Sequence, residues 1–376
     1  MADPKRILIV RPSALGDVCR SVPVLVSLRK AYPNARIEWL VQDGFVDAIK
    51  AHPALDEVIP FPRKLFGSWW RNPIVAFAML RWFIALRKRR YELVIDFQAL
   101  GRSGFITAIT GAKRRVGYQS AREMGWIGYT VRHPDSTAIH TVDRMLHLIE
   151  SEGLEVVKDM QLYVSGEDKR WWHSQAEELG MLDKTYVVIA PTSRWASKRW
   201  PAERWAELLE PLLDRCFERI IMIGAPNERR QVLEIVPSSS FCEERFIDLV
   251  GKASISQTMA VIEKASLVIA NDSAPLHMAV GFNKPCIALF GPTSPARVGP
   301  YQRLDSVLRD KALEPQVAIN FKDPRLGDTL MRSIKTEDVL ERIDAFFADG
   351  RIVDGSHQGS VNAAHDLSAK VKEIVA

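Results

Sequence analysis

Short apolar runs and longer amphipathic segments alternate along the chain, and this alternation predicts strands and helices in turn. Val18, Val22, Leu25 and Leu28 recur at helical spacing, so residues 17–31 are predicted to form a helix. Strands are predicted at the consecutive apolar runs, which cover residues 6–11, 36–41, 57–60, 93–97, 186–190, 219–223, 246–250, 265–270 and 286–290. Further helices are predicted over residues 202–216 and 336–348, and from about residues 103, 227 and 256 onward. This order indicates parallel α/β sheets with helices on both faces.

The strand and helix pattern occurs twice, with a polar helical segment at residues 166–184 between the two halves. A chain of 376 residues is long enough for two domains. We predict one domain at residues 1–168, a second at 169–349, and a polar tail at 350–376 with a short helix over 367–375. Rossmann-like sheets bind ligands beyond the carboxyl ends of their strands. The pattern therefore predicts two Rossmann-like lobes that face a cleft.

The composition is that of an ordinary globular protein, with 47% hydrophobic and 26% charged residues and a net charge of +5. Four cysteines are scattered along the chain: Cys19, Cys216, Cys242 and Cys286. Because none of them has CxxC spacing, they indicate a reducing compartment and no zinc site. Lys5 and Arg6 lead directly into the first predicted strand. We therefore expect no signal peptide and a cytoplasmic location.

The sequence has no GxGxxG motif, no GxxxxGK[ST] motif and no Asp-x-Asp pair. Any phosphate must therefore be bound by helix ends, hydroxyls and basic side chains, and no metal or other cofactor is expected. The best candidate is Asp272-Ser273-Ala274-Pro275, which follows an apolar run and is predicted to begin a helix with Asp272 or Ser273 as its N-cap. A helix N-terminus suits a phosphate because of its unpaired N–H groups and partial positive charge. An ordinary strand-helix-strand crossover with a capped helix is an equally good interpretation.

A second candidate is the loop at residues 191–201, after the first strand of the second half. Thr192 and Ser193 offer hydroxyl groups, and Lys198 offers a mobile positive charge. The competing interpretation is a solvated basic turn.

Two further candidate ligand-binding residues lie in the second half of the chain. Glu228 comes soon after the strand at 219–223, where a carboxylate is able to bind ribose hydroxyls, although an acid in the first turn of a helix is also common. His277 lies near the predicted phosphate site, either as a ligand contact or as a buried structural histidine.

The third candidate region is Arg11–Val18, which contains a short loop after the first strand and a helix start at Asp17. A carboxylate there lies at the carboxyl end of a strand and is kept ionised by the helix dipole. It is therefore able to accept a proton from a hydroxyl group of a substrate. Asp is also a common helix-start residue, which is the simpler interpretation.

Together these motifs resemble glycosyltransferase family 9, the bacterial lipopolysaccharide heptosyltransferases. The family's R-x-S-x-x-G-D-V pattern matches Arg11–Val18, and its hydroxyl-rich loop with K-x-W-P resembles residues 192–201. Its D-[ST]-G-x-x-H-x-A-A and F-G-P-T-x-P patterns match within residues 271–301, except that Ala274 replaces the usual Gly. The resemblance extends over residues 5–345 and is closest to the heptosyltransferase I branch.

This resemblance implies a GT-B type α/β fold, with the acceptor in the first lobe and the sugar nucleotide in the second. It implies inverting transfer of a heptose or similar sugar from ADP-heptose to an inner-core glycolipid, with Asp17 as the general base. The donor-binding residues that it implies are Thr192, Ser193, Lys198, Glu228, Asp272, Ser273, Ala274 and His277. The acceptor-binding residues are Ser13, Gly16, Arg63, Lys64, Gln98, Arg102 and Arg122. Arginine pairs well with the phosphates and carboxylates of an anionic glycolipid, although each of these arginines alone is also typical of a surface.

The segment at residues 65–91 combines tryptophans with a basic end. Asn72-Pro73 predicts a helix start, and the apolar run that follows is shorter than the ~20 residues needed to span a bilayer. Two interpretations remain open: a helix that lies against the anionic inner face of the cytoplasmic membrane, and a buried core helix with a solvated basic end. Nucleic-acid binding is disfavoured, because the basic residues are not spread along a groove-sized array.

Two other classes of function remain as alternatives. A nucleotide-sugar epimerase with the same fold would act on the donor alone. A non-catalytic glycolipid- or membrane-binding protein would bind vesicles through residues 65–91 and release no ADP.

Overall fold

The computed structural model describes residues 3–352, except residues 216, 236, 238, 239, 318 and 321. The chain forms two compact units. The first consists of the chain up to Gly166 together with Val280–Phe282 and Ala296–Tyr301, and the second contains the rest of the described chain. The predicted tail lies, from residue 353 onward, outside the described residues, and so does the short helix predicted at 367–375.

The first unit contains one parallel sheet with helices around it. Its strands are β1 (Arg6–Val10), β2 (Arg36–Gln42), β3 (Glu57–Phe61), β4 (Leu93–Asp96), β5 (Arg114–Tyr118) and β6 (Val131–His133). Its α-helices are α1 (Leu15–Arg20), α2 (Val22–Ala31), α3 (Arg63–Phe66), α4 (Pro73–Lys88), α5 (Gly101–Ile109) and α6 (Thr141–Ser151). The sheet has the order β3-β2-β1-β4-β5-β6, and every neighbouring pair is parallel.

The second unit repeats this plan. Its strands are β7 (Tyr186–Ala190), β8 (Arg219–Met222), β9 (Phe246–Asp248), β10 (Leu267–Asn271), β11 (Cys286–Phe290) and β12 (Val307–Arg309). The α-helices of the second half of the chain are α7 (Gly166–Glu178), α8 (Ala202–Leu213), α9 (Ser240–Glu243), α10 (Ile255–Lys264), α11 (Ala274–Gly281), α12 (Pro295–Val298), α13 (Pro324–Arg332) and α14 (Thr336–Ala348). Its parallel sheet has the order β12-β11-β10-β7-β8-β9.

Both sheets have the doubly wound Rossmann order. In each, the chain begins in the middle, adds strands to one side, and then crosses to the other side. The crossing point lies between β1 and β4 in the first sheet and between β7 and β10 in the second. Loops that follow the strands at such a point form a ligand-binding crevice. The predicted α/β class with two Rossmann-like units is confirmed.

Burial on both faces explains why the central strands are continuous apolar runs. Every residue of β7 and β10 is buried, and so are Ile7–Val10 of β1. In the second unit Trp200 and Trp205 pack edge to face with ring centroids 5.1 Å apart. Each unit thus has its own hydrophobic core.

Two differences from the sequence-based prediction have simple causes. The helix predicted over 17–31 is two helices, because the backbone leaves helical geometry at Ser21 and Pro23 then occupies the start of α2, where no N–H is needed. Strands β5, β6 and β12 were not predicted. β6 and β12 are edge strands of three residues, and β5 begins with two arginines, so no apolar run marks any of them.

Helix α4 begins as predicted, since the Asn72 side chain accepts hydrogen bonds from the N–H groups of Ile74 and Val75 at 2.9 and 3.4 Å. Only Val75 and Leu86 of this helix are buried. Ile74 is 79% exposed and Phe77 is 61% exposed. The interpretation of α4 as a buried core helix is therefore wrong. No helix within the described residues has the length and apolarity to cross a membrane.

A buried carboxylate links strands β1 and β2, the end of α4 and the segment just before β4. Glu38 on β2 is fully buried, and its oxygens pair with Arg36 at 2.8 Å and Arg89 at 2.7 Å. Arg6 lies 3.5 Å away, and the Tyr91 hydroxyl donates a short hydrogen bond to the same carboxylate. Pairing of this kind offsets the cost of burying the charge.

Candidate functional site

The loops after β7 and β10 meet at the crossing point of the second sheet, and an ion pair joins them. Lys198 Nζ lies 2.6 Å from Asp272 Oδ2, and the Thr293 hydroxyl donates to the same oxygen at 2.7 Å. The side chains of Lys198 and Asp272 are only 15% and 9% exposed. The ammonium group is therefore held next to the start of α11, where the sequence predicts a phosphate site.

The start of α11 carries a hydroxyl that no group in the described residues satisfies. Ser273 Oγ is buried and has no hydrogen-bond partner, although buried polar atoms almost always have one. Helix α11 begins at the next residue, Ala274, so its first backbone N–H groups lie at the same place. His277 is buried one turn further along the helix. This end of the helix offers hydrogen-bond donors for an anion.

Asp272 or Ser273 was predicted as the N-cap of this helix, and Asp272 as a donor-binding residue. The Asp272 carboxylate accepts from Lys198 and Thr293. The role of Thr293 was missed, although it lies within the matched F-G-P-T-x-P motif. Only folding brings it from the loop after β11 to Asp272.

A second hydrogen-bonded group lies after β7 and β8. The Thr192 hydroxyl donates to Glu228 Oε2 at 2.7 Å, and the Ala225 N–H donates to the same oxygen at 3.0 Å. The other oxygen of Glu228 receives no hydrogen bond within the described part of the chain. The Ser193 N–H donates to Gln231 Oε1 at 3.2 Å, a contact that the sequence analysis missed. Glu228 thus keeps one acceptor oxygen for a ligand.

Asp17 lies in α1, just after β1, at the crossing point of the first sheet. The helix begins at Leu15, so Asp17 is its third residue, and its Oδ2 accepts the Ala14 N–H at 3.2 Å. Arg11 Nη2 lies 3.3 Å from the same oxygen, and Arg20 forms a short ion pair with Oδ1. The side chain remains 25% exposed.

The two arginines determine the charge state of Asp17. Burial by itself raises the pKa of Asp17, but the charges of Arg11 and Arg20 and the hydrogen bonds from Ala14 and Arg20 outweigh it. The pKa of this carboxyl is therefore held far below its usual range. Arg20 was missed by the sequence analysis, although its position three residues after Asp17 on a helix is typical of an ion pair.

The predicted acceptor-binding residues fall into two groups. Ser13 lies in the loop after β1, and Gly16 precedes Asp17 in the first turn of α1. The Ser13 N–H donates to Gln98 Oε1 at 3.2 Å, which joins this loop to the one after β4. The other four are exposed, and no hydrogen bond or ion pair within the described residues joins them to Asp17: Arg63, Lys64, Arg102 and Arg122. Within the described residues, no group of three or more His, Cys, Asp or Glu side chains is placed to hold a metal ion.

The chain is similar to characterised proteins over most of its length. It is 27% identical over 309 residues to lipopolysaccharide heptosyltransferase 1 of Escherichia coli strain K12, covering 81% of this chain and 93% of that protein. It is 25% identical over 348 residues to lipopolysaccharide core heptosyltransferase OpsX of Haemophilus influenzae, covering 90% of this chain and 95% of that protein.

Solved structures share the fold. E. coli ADP-heptose lipopolysaccharide heptosyltransferase II superposes with a TM-score of 0.73 at 21% identity, over 92% of this chain and 99% of that one. E. coli heptosyltransferase WaaC with ADP-2-deoxy-2-fluoro heptose superposes with a TM-score of 0.70 at 24% identity, over 90% of this chain and 99% of that one. The predicted GT-B type fold class is confirmed.

The family model for glycosyltransferase family 9 (heptosyltransferase) matches residues 79–323, which is more than half of the 376 residues. The matched region includes both the loop that carries Lys198 and the start of α11. The chain therefore belongs to glycosyltransferase family 9, the heptosyltransferase family.

Proposed function

We propose that the protein transfers a heptose from ADP-heptose to an inner-core glycolipid of lipopolysaccharide, with inversion at the anomeric carbon. The names of the relatives above support the donor and the class of acceptor. The observation that carries the proposal is the ion pair of Lys198 with Asp272 beside the unsatisfied hydroxyl of Ser273. A held ammonium, a free hydroxyl donor and a helix N-terminus are the groups that suit a diphosphate.

The second unit is proposed to bind the donor. Lys198, the Ser273 hydroxyl and the N–H of Ala274 bind the diphosphate, while Asp272 orients Lys198 and does not contact the anion itself. His277 lies three residues after Ala274 and four after Ser273, so it shares their helix face and is proposed to contact the donor.

The loop after β7 and the start of the Pro226–Gln231 helix are proposed to bind the nucleoside part. The unbonded oxygen of Glu228 accepts from a ribose hydroxyl, while Thr192 holds the other oxygen. Ser193, which follows Thr192 in the loop after β7, is proposed to contact the diphosphate.

The first unit is proposed to bind the acceptor and to supply the base. Asp17 takes the proton from an acceptor hydroxyl as that oxygen bonds to the anomeric carbon. The bond from this carbon to the diphosphate breaks on the opposite face, and ADP leaves with the electron pair. Ser13, Gly16 and Gln98 position the hydroxyl, whereas the exposed arginines and Lys64 bind anionic groups of the glycolipid.

The low pKa of Asp17 constrains the timing of proton transfer. A weakly basic carboxylate takes a proton only after the hydroxyl oxygen has gained positive charge, which happens when the bond to an oxocarbenium-like carbon is well advanced. Asp17 is fully ionised at neutral pH, so no protein group has to lose a proton first. Arg11 and Arg20 keep the carboxylate oriented between them.

Transfer is proposed to need no metal ion, because Lys198 and the N-terminus of α11 provide the positive charge that the leaving ADP requires. The protein is proposed to work in the cytoplasm, at the inner face of the cytoplasmic membrane, where the exposed residues of α4 meet anionic lipids.

A single experiment tests the proposal against its alternatives. Purified protein is incubated with ADP-heptose, with and without a deacylated inner-core acceptor and with a chelator, and the products are followed by mass spectrometry. We expect ADP and a heptosylated acceptor only when both substrates are present. Conversion of the donor alone into an epimer would replace the proposal by the epimerase alternative. No release of ADP with both substrates, from protein that binds anionic vesicles in a separate sedimentation assay, would replace it by the binding-protein alternative.

A further inference from the structure

The first unit has a large apolar groove between α4 and α5. The groove has a volume of about 930 Å³. Its lining is mainly aromatic and aliphatic, and it includes Phe61, Phe66, Phe83 of α4 and Phe105 of α5. A site of this size and lining is typical of those that hold a small apolar ligand.

The groove is open, and its walls leave large apolar side chains exposed. Phe105 is 58% exposed, Leu80 is 54% exposed, and Trp69 and Trp70 at its end are 51% and 63% exposed. A group of exposed large apolar side chains of this kind is typical of a binding site. The groove therefore has the lining that suits a hydrocarbon chain.

The charges around the groove have one sign. Its charged lining residues among those described are Arg63, Arg87 and Arg102. Residues 63–90 contain eight Lys and Arg residues and no Asp or Glu. Hydrocarbon walls with an uncompensated positive rim complement an amphiphile that has an anionic head.

These arginines have capacity left to bind an anion. Arg102 makes no hydrogen bond or ion pair with any described residue, and Arg63 has only a 3.5 Å contact with Gln42. Arg87 gives one N–H to the carbonyl of Ile109 at 3.2 Å. Their remaining N–H groups are donors without an acceptor among the described residues.

The segment that leads into α5, one wall of the groove, contacts the Asp17 loop. Arg11, which pairs with Asp17, donates a short hydrogen bond to the Phe97 carbonyl, and the next residue, Gln98, accepts from the Ser13 N–H at 3.2 Å. This segment leads into α5 at Gly101, so Arg102 is on the first turn of the helix that forms one wall. Arg102 therefore lies on the element that connects the groove to the segment in contact with the Asp17 loop.

We propose that this groove binds a hydrocarbon chain of the anionic glycolipid acceptor itself, and that Arg63, Arg87 and Arg102 pair with the anionic groups between that chain and the sugar. This inference rests on the proposed function, because the acceptor's sugar has to reach Asp17 while its chain lies in the groove. It makes the lipid part of the acceptor a substrate determinant rather than only a membrane anchor.

The catalytic test compares two acceptors, one with its acyl chains and one without them, for wild type, Leu80→Asn and Phe105→Asn in detergent. Both side chains are exposed, so the variants are expected to fold. We expect KM for the acylated acceptor to rise by at least about tenfold, as loss of a few buried methylene contacts predicts. KM for the deacylated acceptor should stay within about twofold. Equal effects on both acceptors, or no effect on either, would overturn the proposal.

Ile74→Asn is the matched control, because Ile74 is 79% exposed on the same helix and does not line the groove. It should leave both KM values unchanged. An equal rise in KM for the acylated acceptor in this control would assign the effect to general contact of α4 with detergent or membrane. It would overturn the proposal that the groove binds the chain. A change in sedimentation of Leu80→Asn from dimer to monomer would instead assign the surface to a second copy of the chain.

A binding test does not depend on turnover. The probe is an alkyl phosphate with a bromine atom at the end of its chain, which quenches the fluorescence of nearby tryptophans. Trp69 and Trp70 line the groove, so binding of the probe should quench the wild type strongly. The double variant Trp69→Phe/Trp70→Phe should lose much less fluorescence at the same probe concentration. Inorganic phosphate should not quench, and Arg102→Gln should weaken the binding of the alkyl phosphate. Equal quenching of the wild type and the tryptophan variant would exclude this groove as the chain site. Failure of wild type to use either acceptor would reject the proposed function and leave this test readable.

Discussion

Lys198 and Asp272 are 74 residues apart in the sequence, and their charged groups lie 2.6 Å apart in the fold. The pair connects the loops that follow β7 and β10, the two strands at the crossing point of the second sheet. Neither residue by itself suits the proposed diphosphate site, because a free lysine is mobile and a lone aspartate repels the ligand. The pair fixes the ammonium group where the unsatisfied Ser273 hydroxyl also lies.

Lys198→Ala should weaken ADP binding by roughly 10- to 100-fold, because it removes a charge-assisted contact and leaves Asp272 as an unpaired carboxylate near the anion. The double variant Lys198→Ala/Asp272→Asn should recover part of that loss. Titration calorimetry with ADP measures both. Lys184→Ala is the control, since Lys184 forms an exposed pair with Glu218 in the same unit. Unchanged ADP affinity in Lys198→Ala would remove Lys198 from the phosphate site.

Asp17→Asn should lower turnover by about 10²- to 10⁴-fold, the range typical of a lost general base, while the Kd for ADP stays the same. Pre-steady-state rates and ADP calorimetry separate the two effects. Asp47→Asn, which alters an exposed pair with Lys50, is the control and should have wild-type turnover. Turnover within about tenfold of wild type in Asp17→Asn would show that another group takes the proton.

The pH dependence of activity should report how Arg11 and Arg20 lower the pKa of Asp17. Since the folded pKa of Asp17 is depressed, the carboxylate stays ionised below the ordinary value of about 4, and kcat/KM should show no acid limb from this group above that pH. Arg20→Gln removes one of the two positive charges that lower the pKa of Asp17. The pH at which kcat/KM begins to fall on acidification should therefore be higher in this variant than in wild type. An identical pH profile in wild type and Arg20→Gln would contradict this account.

The same depressed pKa predicts a pH-dependent contribution to stability. Ionised Asp17 stabilises the fold fully above its unfolded pKa of about 4, and this contribution is lost as the pH falls from there toward the lower folded pKa. The difference in Tm between wild type and Asp17→Asn should therefore be constant from neutral pH to about 5 and shrink below about 4. Thermal unfolding at several pH values measures it, and a difference that grows on acidification would refute it.

Glu228→Gln should weaken binding of ADP by roughly tenfold or more, because a hydrogen bond from a ribose hydroxyl to a charged oxygen is lost. Inorganic diphosphate has no ribose, so its affinity should stay the same. Competition of both ligands against a fluorescent ADP analogue measures the two affinities in one assay. Equal losses for ADP and diphosphate would place Glu228 near the phosphates instead.

Glu38→Ala should destabilise the first unit by about 3–5 kcal/mol, the typical cost of removing one partner from a buried ion pair. The change leaves Arg6, Arg36, Arg89 and the Tyr91 hydroxyl without their shared acceptor. Urea unfolding measures this loss, and Glu155→Ala, at an exposed pair with Lys30, should cost less than about 1 kcal/mol. Equal midpoints for both variants would show that the Glu38 network contributes nothing.

Local signals in the sequence were sufficient for much of the fold. The apolar runs of β7 and β11 were predicted to the residue, because strands buried on both faces need consecutive apolar side chains. The short edge strands β6 and β12 were not predicted, because their sequences, Val-Arg-His and Val-Leu-Arg, end in basic residues and form no apolar run. Asn72 and Pro73 predicted the start of α4, since a helix cap depends on residues that are close in sequence.

The sequence by itself determined the class of fold, the family and the segments that carry the candidate chemistry, because hydrophobic period, caps and motifs are all local properties of the chain. Only the tertiary structure decided which side chains meet. Arg11 and Arg20 surround Asp17, Thr293 joins Lys198 at Asp272, and α4 turns its apolar side chains outward beside α5. Those contacts depend on the order in which parallel strands assemble, which brings together loops that are distant in sequence, and no local pattern encodes that order.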